Sequence, residues 1–115
     1  MPARKHPRLH VDYTRIALAE LDKIADWNER KYGRAHAKQY VSFLTSRLES
    51  LDRKYFLARR IEDRADLFAL LMQRKGKANG HVAIFSIVGD VVRIAHIFHT
   101  SQDWPSSLDP DGGEL

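Results

Sequence analysis

The sequence predicts an α+β domain with the element order βααβββ, a helical hairpin packed on a small antiparallel sheet. Three observations lead to it. Apolar residues recur at three- and four-residue spacing along two successive stretches between residues 16 and 51, the period of amphipathic helices. Beyond residue 66 the pattern changes to runs rich in β-branched and aromatic residues. A Gly-Asp pair between Val88 and Val91 then reads as a two-residue hairpin turn.

Taken in order, residues 1–8 hold Arg4, Lys5, His6, Arg8 and two prolines without apolar periodicity, and predict a flexible basic arm. Leu9, Val11 and Tyr13 alternate with His10 and Asp12, as in a half-buried strand. Thr14 is the expected N-cap of a first helix over 16–32, whose stripe is Ala17, Leu21, Ile24 and Trp27. Gly33 is expected to end that helix in the left-handed conformation of a C-terminal cap. A second stripe follows at once, through Ala37, Tyr40, Val41, Leu44, Leu48 and Leu51, so the two helices form an antiparallel pair. The charged stretch 52–66 either prolongs the second helix or forms a basic connector; its Arg59, Arg60 and Arg64 are interleaved with Glu62, Asp63 and Asp66, as in a solvated segment. Strands are expected over 67–74, 81–88 and 91–98, with a turn at 75–80. The folded domain is expected to span 9–103, followed by a flexible acidic tail over 104–115.

The hairpin sets the faces. Pairing Val88 with Val91 places Phe85 opposite Ile94, Ser86 opposite Arg93 and Ala83 opposite His96. One face then holds Ala83, Phe85, Ile87, Val92, Ile94, His96 and Phe98; the other holds Val82, Ile84, Ser86, Val88, Val91, Arg93, Ala95 and Ile97. Both are mainly apolar, yet two helices cover only one side of such a sheet. The second face is therefore expected to meet another chain or to wall a cleft.

Composition narrows the chemistry. The chain has 115 residues, 43% of them apolar, a formal charge of +4 and no cysteine. That excludes disulfides and thiolate chemistry and fits a reducing, cytoplasmic setting. No segment approaches the roughly 18 apolar residues of a membrane span. The mild positive charge suits either a polyanion or an acidic protein partner.

The order of elements and several local runs resemble the RelE/ParE superfamily of bacterial toxin-antitoxin toxins. The resemblance runs from about Val11 to Asp103. It rests on Ala17-Leu18-Ala19-Glu20-Leu21-Asp22-Lys23-Ile24, then Tyr32-Gly33, Ala37 and Tyr40, and on the strand-rich run from His81 to His99 with Asp103 four residues on. It implies a toxin neutralised by a cognate antitoxin in a hetero-oligomer, of the kind associated with plasmid stabilisation, without cofactor or metal. It also implies one of two targets: DNA gyrase, poisoned without covalent chemistry, or messenger RNA cut on the ribosome. A catalytically silent binding module on the same scaffold is the third reading. The chain departs from the family pattern at Ser86, His96 and Gln102, where basic residues are usual, and has no tyrosine after Tyr55. These departures favour the ParE-type, gyrase-directed reading.

Were the chain to cut RNA, it would need a base, an acid and cations around the phosphate. His99, Arg93 and His96 are the candidate catalytic residues, and Arg74, Lys75 and Lys77 the candidate phosphate or target contacts. The alternative for His99 is a structural hydrogen bond to Asp103, and for His96 a satisfied, partly buried position. The spacing of His96 and His99 places them on opposite faces of a regular strand, against a metal site. Trp27 and Tyr40 read as packing residues on their stripes, whereas Trp104 could plug the sheet edge or anchor a partner.

Overall fold

The computed structural model describes residues 6–108. Strand β1 spans His10–Tyr13, helix α1 Arg15–Tyr32 and helix α2 Arg34–Glu49. Thr14 caps α1: its hydroxyl accepts from the Ala17 amide at 3.1 Å and donates to the Ala95 carbonyl at 2.9 Å, tying the helix start to the last strand. Gly33 alone separates the helices, at φ 95° and ψ 166°, a region that side chains with a Cβ essentially do not enter. The Gly33 amide closes α1 on Glu29, and its carbonyl opens α2 by accepting from Ala37.

The stretch left open as helix or connector is neither throughout. A short helix α3, Leu51–Lys54, and a 3-10 turn, Tyr55–Leu57, lead into strand β2, Arg59–Ile61, which pairs antiparallel with β3, Arg64–Met72. Asp63 takes φ 64° in the tight turn between them, a conformation aspartate tolerates better than most residues. Strands β4, His81–Val88, and β5, Val91–His99, form the expected hairpin. Gly89 has φ 60° and Asp90 is not left-handed, which fits the type II′ turn.

All five strands belong to one sheet in the order β1-β5-β4-β3-β2. The β2 to β5 meander is antiparallel, but β1 joins the far edge in parallel, His10 beside Val91 through Tyr13 beside Ile94. The sheet is thus mixed rather than purely antiparallel, since the chain leaves β1 through the helices and returns to its flank only at β5.

The register corrects the expected faces. Val88, Ile87, Ser86 and Phe85 pair with Val91, Val92, Arg93 and Ile94 as expected, but Ile84 then pairs with His96 and Ala83 with Ile97. The extra residue is a bulge at Ala95, and every β5 side chain beyond it changes face. Ile97 joins Ala83, Phe85, Val92 and Ile94 in the core under the helices, with Ala17, Leu44, Leu48 and Leu51. His96 instead stacks on Phe98 on the other side, ring centroids 4.8 Å apart.

That other side is partly covered by the chain itself. Trp104 and Leu108 lie on Leu67, Ala69, Val82, Ile84 and Phe98, joined by Ile61 of β2. Residues 104–108, expected as the start of a flexible tail, therefore pack, with a short helix α4 at Trp104–Ser107; the apolar strip offered by β3 to β5 is what they cover. Residues 109–115 lie outside the described residues. The arm is also partly fixed: Tyr55 Oη donates to the Pro7 carbonyl, Arg8 pairs with Asp52 at 2.9 Å, and His6 stacks on Phe56. Its first five residues lie outside the described ones. Among the described residues no helix is long and apolar enough to cross a membrane.

Candidate functional site

At the end of the sheet where β3 and β5 finish and β4 begins, the helices do not close over the strands, leaving an open cleft of about 1160 Å³. Three consequences of the sequence build it. The turn 75–80 carries Arg74, Lys77 and Gly80 to its floor. Gly80 fits because a Cβ there would lie 2.3 Å from the Met72 carbonyl oxygen. The Ala95 bulge turns His99 toward the helices, opposite His81, with the rings perpendicular and 5.2 Å apart. Helices α1 and α2 add Glu20, Lys23, Trp27, His36 and Tyr40 as walls.

Two histidines, each with its own hydrogen-bond partner, occupy the floor. Tyr40 Oη lies 2.5 Å from His81 Nδ1. Burial, reinforced by the neighbouring His99, pushes the His81 imidazole down to about 4, so the ring is neutral near pH 7. Burial raises Tyr40, with the Arg74 charge opposing it, so the phenol keeps its proton. Tyr40 therefore donates to Nδ1, and the single ring proton of His81 sits on Nε2. Across from it, His99 Nδ1 accepts from the Ser101 amide at 3.0 Å and lies 2.6 Å from the Ser101 hydroxyl. A neutral His99 thus also carries its proton on Nε2.

The cations are held without neutralisation. The Arg74 guanidinium lies over the Tyr40 and Phe43 rings, at 5.1 and 5.5 Å from their centroids, and has no carboxylate partner among the described residues. Aromatic rings fix such a group and leave its donors available. Lys23 and Lys77 are likewise without an ion pair among the described residues, whereas Arg30 pairs with Asp26. On the rim, Trp27 and Tyr32 are 50% and 55% exposed, set edge to face at 5.9 Å, and Tyr32 leans on His36. Trp27 is thus a rim residue rather than core; Asn28 takes the buried place on α1, its amide donating to the Ile24 carbonyl.

One acidic group closes the upper edge. β1 stops at Tyr13, so β5 beyond Ala95 keeps β4 on one side but has no strand on the other. Glu20 fills the gap: Oε1 accepts from the Ile97 amide at 2.7 Å, and Oε2 lies 3.5 Å from His96 Nδ1.

Of the residues expected at the site, the structure gathers His99, Arg74 and Lys77 around one cleft. Lys75 is exposed in the turn and does not line it. Arg93 and His96 lie on the far face of the sheet, Arg93 exposed opposite Ser86 and His96 packed on Phe98. His99 takes its partners from Ser101 and Gln102, while Asp103 accepts from Ser106. Tyr40, His81, His36 and Trp27 join the site unforeseen. The available signal was Ile94 and Ile97, three apart, a spacing that plain strand alternation cannot bury on one side. No group of three or more metal-ligating side chains occurs among the described residues.

The chain thus combines a five-stranded sheet under a helical hairpin with a basic cleft at one end. The chain is similar to a solved structure of the chromosomal ParDE toxin-antitoxin system from P. aeruginosa, with 23% identity, 79% of this chain and 95% of that one covered, and a TM-score of 0.68. It also matches a substituted E. coli toxin RelE in the free state, at 18% identity, 87% and 92% coverage and a TM-score of 0.49. No curated protein matches the sequence. The family model for the ParE toxin of the type II toxin-antitoxin system parDE matches residues 11–104, and the chain belongs to that family.

Proposed function

We propose that this toxin acts in the cytoplasm by occupying a protein machine, with DNA gyrase the expected target, and that an antitoxin silences it by covering the basic cleft. The observation that supports occupancy over cutting is the division of the expected nuclease set: Arg93 and His96 stand on one face of the sheet, His99 and Arg74 on the other. Groups separated by a sheet cannot act on one phosphate. An antitoxin fits the ParDE pairing named for the P. aeruginosa structure, and the chain's +4 charge favours encounter with an acidic partner. Growth inhibition follows from arrest of the target.

The Tyr40, His81 and His99 array beside Arg74 supports a second reading, acid-base cleavage of RNA, because it brings titratable groups and a cation to one place. Purified toxin, assayed in parallel against gyrase supercoiling and against ribosomes translating a defined message, separates the two. Inhibited supercoiling with the message intact supports occupancy. A cut message with gyrase unaffected replaces it with the second reading, and inertness in both assays supports a silent binding module.

A further inference from the structure

The cleft has two chemically distinct halves that the occupancy reading does not require. Its floor is cationic and offers donors: Arg74 and Lys77 without carboxylate partners among the described residues, and the imidazoles of His81 and His99, whose Nδ1 atoms are already hydrogen-bonded and leave Nε2 for a ligand. Its rim is aromatic: Trp27, Tyr32 and His36, with the first two half exposed although each is large and apolar enough to be buried. His36 and Tyr40 connect the halves, four residues and so about 6 Å apart along α2. That is close to the span between a nucleobase and its own 5′-phosphate.

An acidic peptide would satisfy the floor but leaves the rim unexplained. An apolar ligand would suit the rim and strand the cations. A flat heterocycle bearing a phosphate uses both, since aromatic rings stack on any base and guanidinium binds phosphate with paired donors. The single carboxylate among the lining residues, Glu20, is engaged with the Ile97 amide, so it does not oppose an anion at the floor.

We infer that the cleft is a binding site for a nucleoside 5′-phosphate, the phosphate held by Arg74 and Lys77 at the floor and the base stacked on the Trp27, Tyr32 and His36 rim. The ligand is a free nucleotide or the 5′-phosphorylated end of a nucleic-acid strand. Binding there requires no target protein, so the inference stands or falls apart from the gyrase reading.

The chain has two tryptophans, and the second, Trp104, lies on the opposite face of the sheet. A Trp104→Phe variant leaves Trp27 as sole tryptophan, excited selectively at wavelengths tyrosine does not absorb, and its thermal midpoint checks that the fold is kept. Titrating it with adenosine 5′-monophosphate at pH 7 should give saturable quenching below about 10 mM, a range that covers even weak millimolar sites. Arg74→Ala should weaken binding at least about tenfold, the size expected for a charge-assisted contact, while Arg93→Ala on the far face should leave it unchanged. Adenosine should bind at least about tenfold more weakly than its monophosphate, and inorganic phosphate should compete without quenching. A 5′-phosphorylated trinucleotide binding more tightly than the mononucleotide would identify the strand end as ligand, and equal affinity the free nucleotide. Absence of saturable quenching overturns the inference. So does equal loss on Arg74→Ala and Arg93→Ala, which would reduce it to nonspecific charge attraction, or adenosine binding as well as its phosphate.

Discussion

Acid should loosen this protein through His81, and the burial of its ring gives the sign. The imidazole lies beneath Tyr40 and beside His99, where burial holds it at about 4 against 6.5 in an unfolded chain. Above pH 6.5 the ring is neutral in both states and contributes no pH dependence. Between 6.5 and 4 the unfolded chain binds a proton that the folded one refuses, so stability is full above that window and declines as pH falls through it. At 1.36 kcal/mol per pH unit the window sets a ceiling of about 3 kcal/mol. The cleft is open to water, which screens the charge, and about 1.5 kcal/mol is the expected loss. The perturbation that isolates it is His81→Asn, whose amide oxygen retains an acceptor for Tyr40 but does not titrate. Urea unfolding of both proteins at pH 7, 6, 5 and 4 subtracts the carboxylates common to them. The stability advantage of the native chain over the variant should shrink by about 1.5 kcal/mol between pH 7 and 4. Two parallel curves, their separation constant within about 0.3 kcal/mol, would show that His81 protonates as freely in the fold as in the unfolded chain.

Three further outcomes follow from single contacts. Glu20→Ala should lower stability by about 2 kcal/mol in chemical denaturation and speed exchange of the Ile97 amide, because it leaves a buried N–H unpaired, whereas Glu20→Gln, which keeps an acceptor oxygen, should lose less than half as much. Gly80→Ala should lower the thermal midpoint by several degrees, since the added methyl meets the Met72 carbonyl and Gln73 Cα and the backbone must shift. Thr14→Ala removes both the α1 cap and the bond to Ala95, and should cost about 1–2 kcal/mol by urea denaturation without altering the far-UV helix signal by more than a turn.

Much of the fold was written in local chemistry. Thr14, Gly33 and Gly89 each act where the sequence placed them, because a cap hydroxyl and a positive φ are requirements of one or two residues. The helical stripes were legible for Ala17, Ala37, Leu44 and Leu48, all of which are buried. Strand β2 was not, since its three residues, Arg59–Ile61, are too short and charged to show a period and form only by pairing with β3. The parallel place of β1 is likewise a property of the whole chain rather than of residues 10–13. The site failed at one point with large consequences: the bulge at Ala95 adds a single residue, and alternation counted past it sends His96 to the wrong face and hides the facing of His99 and His81. The second face misled in a different way. Its apolar character was real, but Trp104 and Leu108 cover part of it from within the chain, so exposure alone did not demonstrate a partner.

Action through the cleft, and not through the opposite face of the sheet, is what is proposed for this toxin. Bacterial growth on induction, at expression levels matched by blotting, tests it with three versions of the chain. The native protein and Arg93→Ala should both arrest growth, since Arg93 stands on the far face, and Arg74→Ala should permit it while keeping the native thermal midpoint. Arrest that survives loss of Arg74 but disappears with Arg93, or a native chain that leaves growth untouched, would rule out the cleft as the effector surface.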